Sequence, residues 1–270
     1  MIRTKGRARA GMGLLVTVSF FLAAAAARAE VKSQEIDYKQ GDTALQGFLA
    51  YDDAAKGPRP GILVIHEWWG HNQHARDQAL RLAKAGYVAF ALDMYGKGKL
   101  ATHPGDATAF MEAVMKDQAI LVARFDAALE ILKKQPQVNP EKIGAFGYCF
   151  GGAVALIRAR AGENLRAVVT FHGNLSAGAG TAQKGKVKAK ILVLTGGADP
   201  FVPKEQVDAF KKEMKDAGAK VDVVSYPGAK HSFTNPDAGK AGMDAMVYDA
   251  GVDKKSFDAA IKFIKPLLSK

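Results

Sequence analysis

Gly147-Tyr148-Cys149-Phe150-Gly151-Gly152 is the stretch on which the fold turns. Lys142–Tyr148 (KIGAFGY) before it reads as a buried strand and Ala153–Ala161 after it as the start of a helix, so Cys149 falls on the turn between them. A turn that sharp is strained. Glycines two places before and two after Cys149 suit it, because a Cβ at either place would collide with the neighbouring strand or helix, and the thiol is left projecting at the sheet edge.

Beyond this turn, Ala167–Phe171 (AVVTF), Ile191–Gly197 (ILVLTGG) and Val221–Tyr226 (VDVVSY) read as strands, Lys204–Ala217 and Lys254–Leu268 as helices, and Ser176–Lys190 as a loop. Before it, Ile62–His66 (ILVIH) and Tyr87–Asp93 (YVAFALD) are strands on either side of a helix over Gln73–Ala85 that Gly86 ends. A polar, Gly-rich segment, Gly96–Asp106, leads into one long helical region, Ala107–Lys134, which Pro136 and Pro140 close. Ser33–Asp52 alternates about Gly41-Asp42, the pattern of an antiparallel hairpin at a sheet edge. Apolar strands alternating with helices predict an α/β fold: a mostly parallel sheet covered by helices on both faces, with functional groups on loops at the carboxyl ends of the strands. There is no internal repeat and no dividing linker, so residues 30–270 are expected to form a single domain.

Residues 1–29 have a different character. A basic segment, MIRTKGRARAGMG, is followed by the apolar Leu14–Ala27 and then by Ala27-Arg28-Ala29, the order of a secretory signal peptide with cleavage after Ala29. The apolar part is shorter than the ~20 residues a membrane span needs, so no stable anchor is expected once the leader is removed. The predicted location is periplasmic or secreted. Five of the chain's cations (Arg3, Lys5, Arg7, Arg9, Arg28) lie in this leader with no acid, so much of the formal net charge of +11 would leave with it. The remaining lysines are scattered, as at Lys184, Lys186, Lys188 and Lys190, with no basic run interleaved with aromatics, which argues against a nucleic-acid partner. A monomer is expected.

Cys149 is the only cysteine, which excludes an internal disulfide. A free thiol ionises near about 8.5 and needs a base or a cation beside it to attack at neutral pH. Asp199 lies just past the strand ILVLTGG, in GGADPFVP, and His231 just past VDVVSY, in PGAKHSF. The order nucleophile, acid, histidine, each at a strand's carboxyl end, is that of an α/β-hydrolase fold. In that reading His231 takes the proton of Cys149 and Asp199 sets the imidazole tautomer. The N–H of Phe150 and that of Trp68, in HEWWG, are the candidate oxyanion donors. His66 ends a strand and could support the site, and His172 ends AVVTF, where contact with substrate and a structural role are equally open. His71 and His74 lie near a helix start and His103 in a loop, positions where exposure is expected. No metal-ligand spacing appears, and no cofactor is called for.

With these residues in hand, the chain resembles the dienelactone hydrolase family of α/β-hydrolases over essentially all of residues 30–270. HEWWG, LDMYGKG, GYCFGG, GGADPFVP and HSF occur in the family's order and at similar spacing. The resemblance implies a Cys149–His231–Asp199 triad acting through a thioester on a small ester or lactone, anionic ones included. It implies that Glu67 pairs with the thiol region and restrains it, since a nearby carboxylate disfavours a thiolate. It also points to the substrate contacts: Tyr95 in LDMYGKG, Ser232 and Phe233 in HSF, and two family arginines whose places are taken here by Lys97 and Asn235. Lysine keeps the charge but loses the bidentate fork, and asparagine loses the charge, which leaves room for an ester or lactone other than dienelactone. Two further readings use the same residues: a non-hydrolytic binding protein on this fold, and a thiol redox sensor, the latter without a resolving cysteine.

Overall fold

The computed structural model describes residues 1–2, 30–178 and 180–269; the predicted leader, residues 3–29, lies outside them. Two long strands, β1 (Val31–Gln40) and β2 (Thr43–Asp52), form the hairpin about Gly41-Asp42. β3 (Arg59–Ile65), α1 (Gln73–Lys84) and β4 (Val88–Leu92) follow as a strand, helix, strand unit. Then come α2 (Pro104–Met115), α3 (Gln118–Lys133), β5 (Val138–Tyr148), α4 (Phe150–Arg160) and β6 (Ala167–Phe171). The chain ends with β7 (Lys190–Gly196), α5 (Lys204–Asp216), β8 (Val221–Tyr226), a short 3₁₀ turn at Ala238–Ala241 and α6 (Ala250–Leu268).

The strands of the described residues make one 8-stranded sheet in the order β1-β2-β4-β3-β5-β6-β7-β8. The hairpin joins antiparallel through β2 and β4, and every pairing from β4 to β8 is parallel. Parallel strands are buried on both faces, which is why ILVI and ILVL run apolar without a break. Along β3, Leu63 and Ile65 pack with α3 and α4 on one face, while Ile62 and Val64 meet α1 and α6 on the other. Each such side chain removed from water stabilises the fold by about 1.5–3 kcal/mol. β8 closes the sheet at its outer edge, pairs only with β7, and alternates between half-buried and exposed positions.

Several boundaries differ from the sequence reading: β5 begins at Val138, not Lys142, and α6 at Ala250, not Lys254. The single helical region over Ala107–Lys134 is two helices, because the Asp117 side chain accepts hydrogen bonds from the N–H groups of Ala119 and Ile120 and so starts α3 afresh. The helix after the turn begins at Phe150 instead of Ala153, its two glycines lying within the first turn. Among the described residues no helix is long and apolar enough to cross a membrane.

Candidate active site

The loops after β3, β5, β6, β7 and β8 meet at the carboxyl edge of the sheet. Cys149 stands between β5 and α4 at φ 52° and ψ −115°, in the left-handed half of the map that a side chain rarely enters. The glycines explain how the turn closes. A Cβ on Gly147 would lie 2.2 Å from the carbonyl oxygen of Gly151, and one on Gly151 would lie 2.2 Å from that of Ile65 in β3. Among the described residues two other non-glycine residues have positive φ, His172 (42°) and Ser232 (55°), and both sit at the same edge. Strain gathered in this way is typical of sites where geometry is imposed by surrounding structure.

The thiol of Cys149 is half-buried and lies beside His231, the two bordering one cavity. His231 Nδ1 lies 2.7 Å from Asp199 Oδ2, with both side chains buried. The second oxygen of Asp199 accepts the Phe201 N–H at 2.8 Å, so the carboxylate is fixed from both sides. Nδ1 therefore carries the proton on the Asp199 side and Nε2 is left for Cys149. Burial lowers the basicity of His231, but the charge on Cys149 and the Asp199 carboxylate outweigh it and push the imidazole up to about 10.

Trp68 lines the space above Cys149, and among the described residues its N–H and that of Phe150 have no hydrogen-bond partner. Phe150 opens α4, so its N–H belongs to a helix N-terminus, where the dipole favours negative charge. His66 braces this region. Its Nε2 accepts the Met94 N–H, so its Nδ1 carries the proton and donates to the Glu67 carbonyl; its own carbonyl accepts the Gly151 N–H.

Other sequence candidates occupy different places. Glu67 makes no hydrogen bond to Cys149: its carboxylate accepts from Ser232 Oγ at 2.9 Å and from Asn235 Nδ2. Those two donors satisfy both oxygens beneath the site, with His74 and His172 each just under 4 Å away. Lys97 is turned outward and paired with Asp37 on β1, away from the pocket. His172 is wholly buried, holds Thr234 Oγ1 at 2.9 Å and stacks edge-on behind His231, so it backs the histidine and does not reach the pocket. Burial, with His231 and His74 nearby, keeps it well below the usual histidine range. Phe233 packs against His172 in the core. Tyr95 is buried between His66 and Phe150 with its hydroxyl unpartnered, and burial together with the charge on Cys149 drives its pKa up. His71 and His74, placed near a helix start and expected at the surface, are buried instead: α1 turns His74 onto its core face against Thr234 and Gln78, and desolvation takes His71 down to about 3.

A cavity of about 550 Å³ opens over Cys149 and His231. Its walls include Met111 and Met115 of α2, Ile157 of α4, Phe201, and Met243 and Met246 from the segment before α6. The sequence reading missed these. The signal available was the i, i+4 spacing of Met111 and Met115, which puts both on one helix face. Met246 is held there because the chain beside it is stitched to the histidine, through His231 N–H to Ala245 O and Val247 N–H to His231 O, both 3.0 Å.

A parallel sheet in this order, with a cysteine on a strained strand-to-helix turn followed along the chain by an acid and a histidine, defines an α/β-hydrolase. The chain belongs to the dienelactone hydrolase family, whose model matches residues 45–268. This makes it an enzyme of the carboxylic ester and lactone hydrolase class. A protein provisionally named carboxymethylenebutenolidase from Methylorubrum extorquens is 33% identical over 190 residues, 67% of this chain and 65% of its own. Another of that provisional name, from Aquifex aeolicus, is 29% identical over 240 residues, covering 87% of this chain and 99% of its own. Among solved structures, the dienelactone hydrolase-like promiscuous phosphotriesterase P91 from metagenomic libraries superposes with a TM-score of 0.82 at 35% identity, over 89% of this chain and 99% of its own.

Proposed function

We propose that the protein hydrolyses a small carboxylic ester or lactone through a thioester on Cys149. The observation that carries this reading is the buried chain of contacts Cys149, His231, Asp199 ending on a strained turn beside two free N–H groups. His231 takes the thiol proton as the sulfur of Cys149 attacks the carbonyl carbon, and the carbonyl electron pair moves to oxygen, where the Trp68 and Phe150 N–H groups receive it. The tetrahedral species collapses, the leaving oxygen takes the proton from His231, and the thioester remains. Neutral His231 then removes a proton from water as the water oxygen adds to the thioester. Collapse expels the thiolate beside the newly formed imidazolium, releases the acid, and returns the cysteine and histidine to where the cycle began.

Export through the leader to the periplasm or beyond, and action there as a monomer, complete the proposal. The segment pattern of residues 1–29 supports export. The mechanism is tested with Cys149→Ala on p-nitrophenyl acetate. Turnover is expected to fall by a factor of about 10³ or more, and wild-type protein quenched early in turnover should show an acetyl adduct on the Cys149 peptide by mass spectrometry. Near wild-type turnover by the variant would sink the mechanism.

A further inference from the structure

We infer that the substrate is neutral and apolar in the group that enters the cavity, and that a carboxylate-bearing ester or lactone is selected against. The inference rests on the hydrolase reading above and specifies its substrate class.

The first observation is the lining. Among the described residues no lysine, arginine, aspartate or glutamate borders the cavity; its titratable groups are Cys149 and His231, which the reaction itself uses, and its other polar side chains, Asn174 and Ser176, are neutral. The second is where the possible counter-charges went. Lys97 is spent on Asp37, and Asn235 gives its amide to Glu67. The third is the sign of the charges behind the wall. Asp199 and Glu67 are buried acids, so a substrate carboxylate entering here would lose its hydration, gain no cation beyond His231, and meet negative charge.

The lining also says what the cavity accepts. Met111, Met115, Met243 and Met246 are unbranched and polarisable, and side chains of this kind re-pack around guests of different shape. At about 550 Å³ the space lies within the range of small-molecule sites and is much larger than an acetyl group needs. A range of medium-length acyl or aryl groups therefore fits better than one small, charged ring.

The test uses two substrate comparisons on the purified protein. In a series of p-nitrophenyl esters from acetate to hexanoate, kcat/KM is expected to rise about tenfold or more. For an unsaturated γ-lactone carrying a carboxylate, turnover is expected to be about a hundredfold or more below that of the corresponding methyl ester. Met115→Arg, with Met243→Arg as a second variant on a loop, should narrow the second gap at least tenfold by supplying the missing cation. Equal or better turnover of the carboxylate form by the wild type, or a flat chain-length series, would overturn the inference. If no ester or lactone is cleaved at all, the hydrolase reading falls and binding decides the cavity's preference. Quenching of tryptophan fluorescence by 2-heptanone at lower concentration than by hexanoate upholds it, and equal or tighter binding of hexanoate overturns it.

Discussion

His231 is the residue whose behaviour most directly reports the state of the site. Its imidazole is raised to about 10 by the charge on Cys149 together with Asp199, against the opposing effect of burial. Because the folded chain holds this proton more tightly than the unfolded one, the group adds to stability fully below about 6.5, and that contribution is lost as pH rises through about 10. Replacing Cys149 by Ala removes the foremost cause of the upward shift. The His231 titration should then move down by at least one pH unit, followed through its imidazole Cε1 proton by NMR; an unmoved titration would show that Asp199 alone sets it. The residue scale is also where sequence reading stopped short. Cys149, Asp199 and His231 each stand beside a recognisable strand end, whereas Glu67 and Lys97 were placed by motif, and a motif does not say which neighbour a carboxylate or an ammonium will choose.

At the scale of elements, the loop after β3 and the loop after β8 are joined by one buried carboxylate. Glu67 precedes Trp68, and its two acceptors are filled by Ser232 and Asn235, which follow His231. Through this link the Trp68 N–H and His231 are held in one frame. Asn235→Ala leaves one oxygen of a buried carboxylate without its donor, at a cost of about 1–3 kcal/mol. The expected result is a lower melting temperature and a several-fold lower kcat with the His231–Asp199 contact intact; a wild-type kcat at unchanged stability would mean that the link does nothing. None of this could be read beforehand, since Glu67 and Asn235 are remote in sequence and only the sheet brings them together. The α2–α3 break was missed for a local reason: Asp117 can cap a helix or sit on the face of one, and helical periodicity continues on both sides of it.

For the molecule as a whole, the sheet was the most legible part. ILVIH, YVAFALD, AVVTF and ILVLTGG are too apolar for any place but a doubly covered sheet, and the antiparallel hairpin announced itself by its alternation. The cavity was the least legible, because its walls come from α2, α4 and two loops that converge only after folding. Burial on both faces also makes the centre of the sheet the most resistant part, while β8 has one neighbour and a partly exposed face. The histidine thus hangs from an edge strand and the cysteine from one of the best protected. Unfolding should begin by releasing that margin, so in a urea titration hydrolytic activity should fade at a lower concentration than the far-ultraviolet circular dichroism signal, with coincident midpoints as the contrary result. An enzyme arranged like this fails softly. Under mild stress it would fall silent while still largely folded, and would regain activity by re-docking a single strand instead of refolding from the beginning.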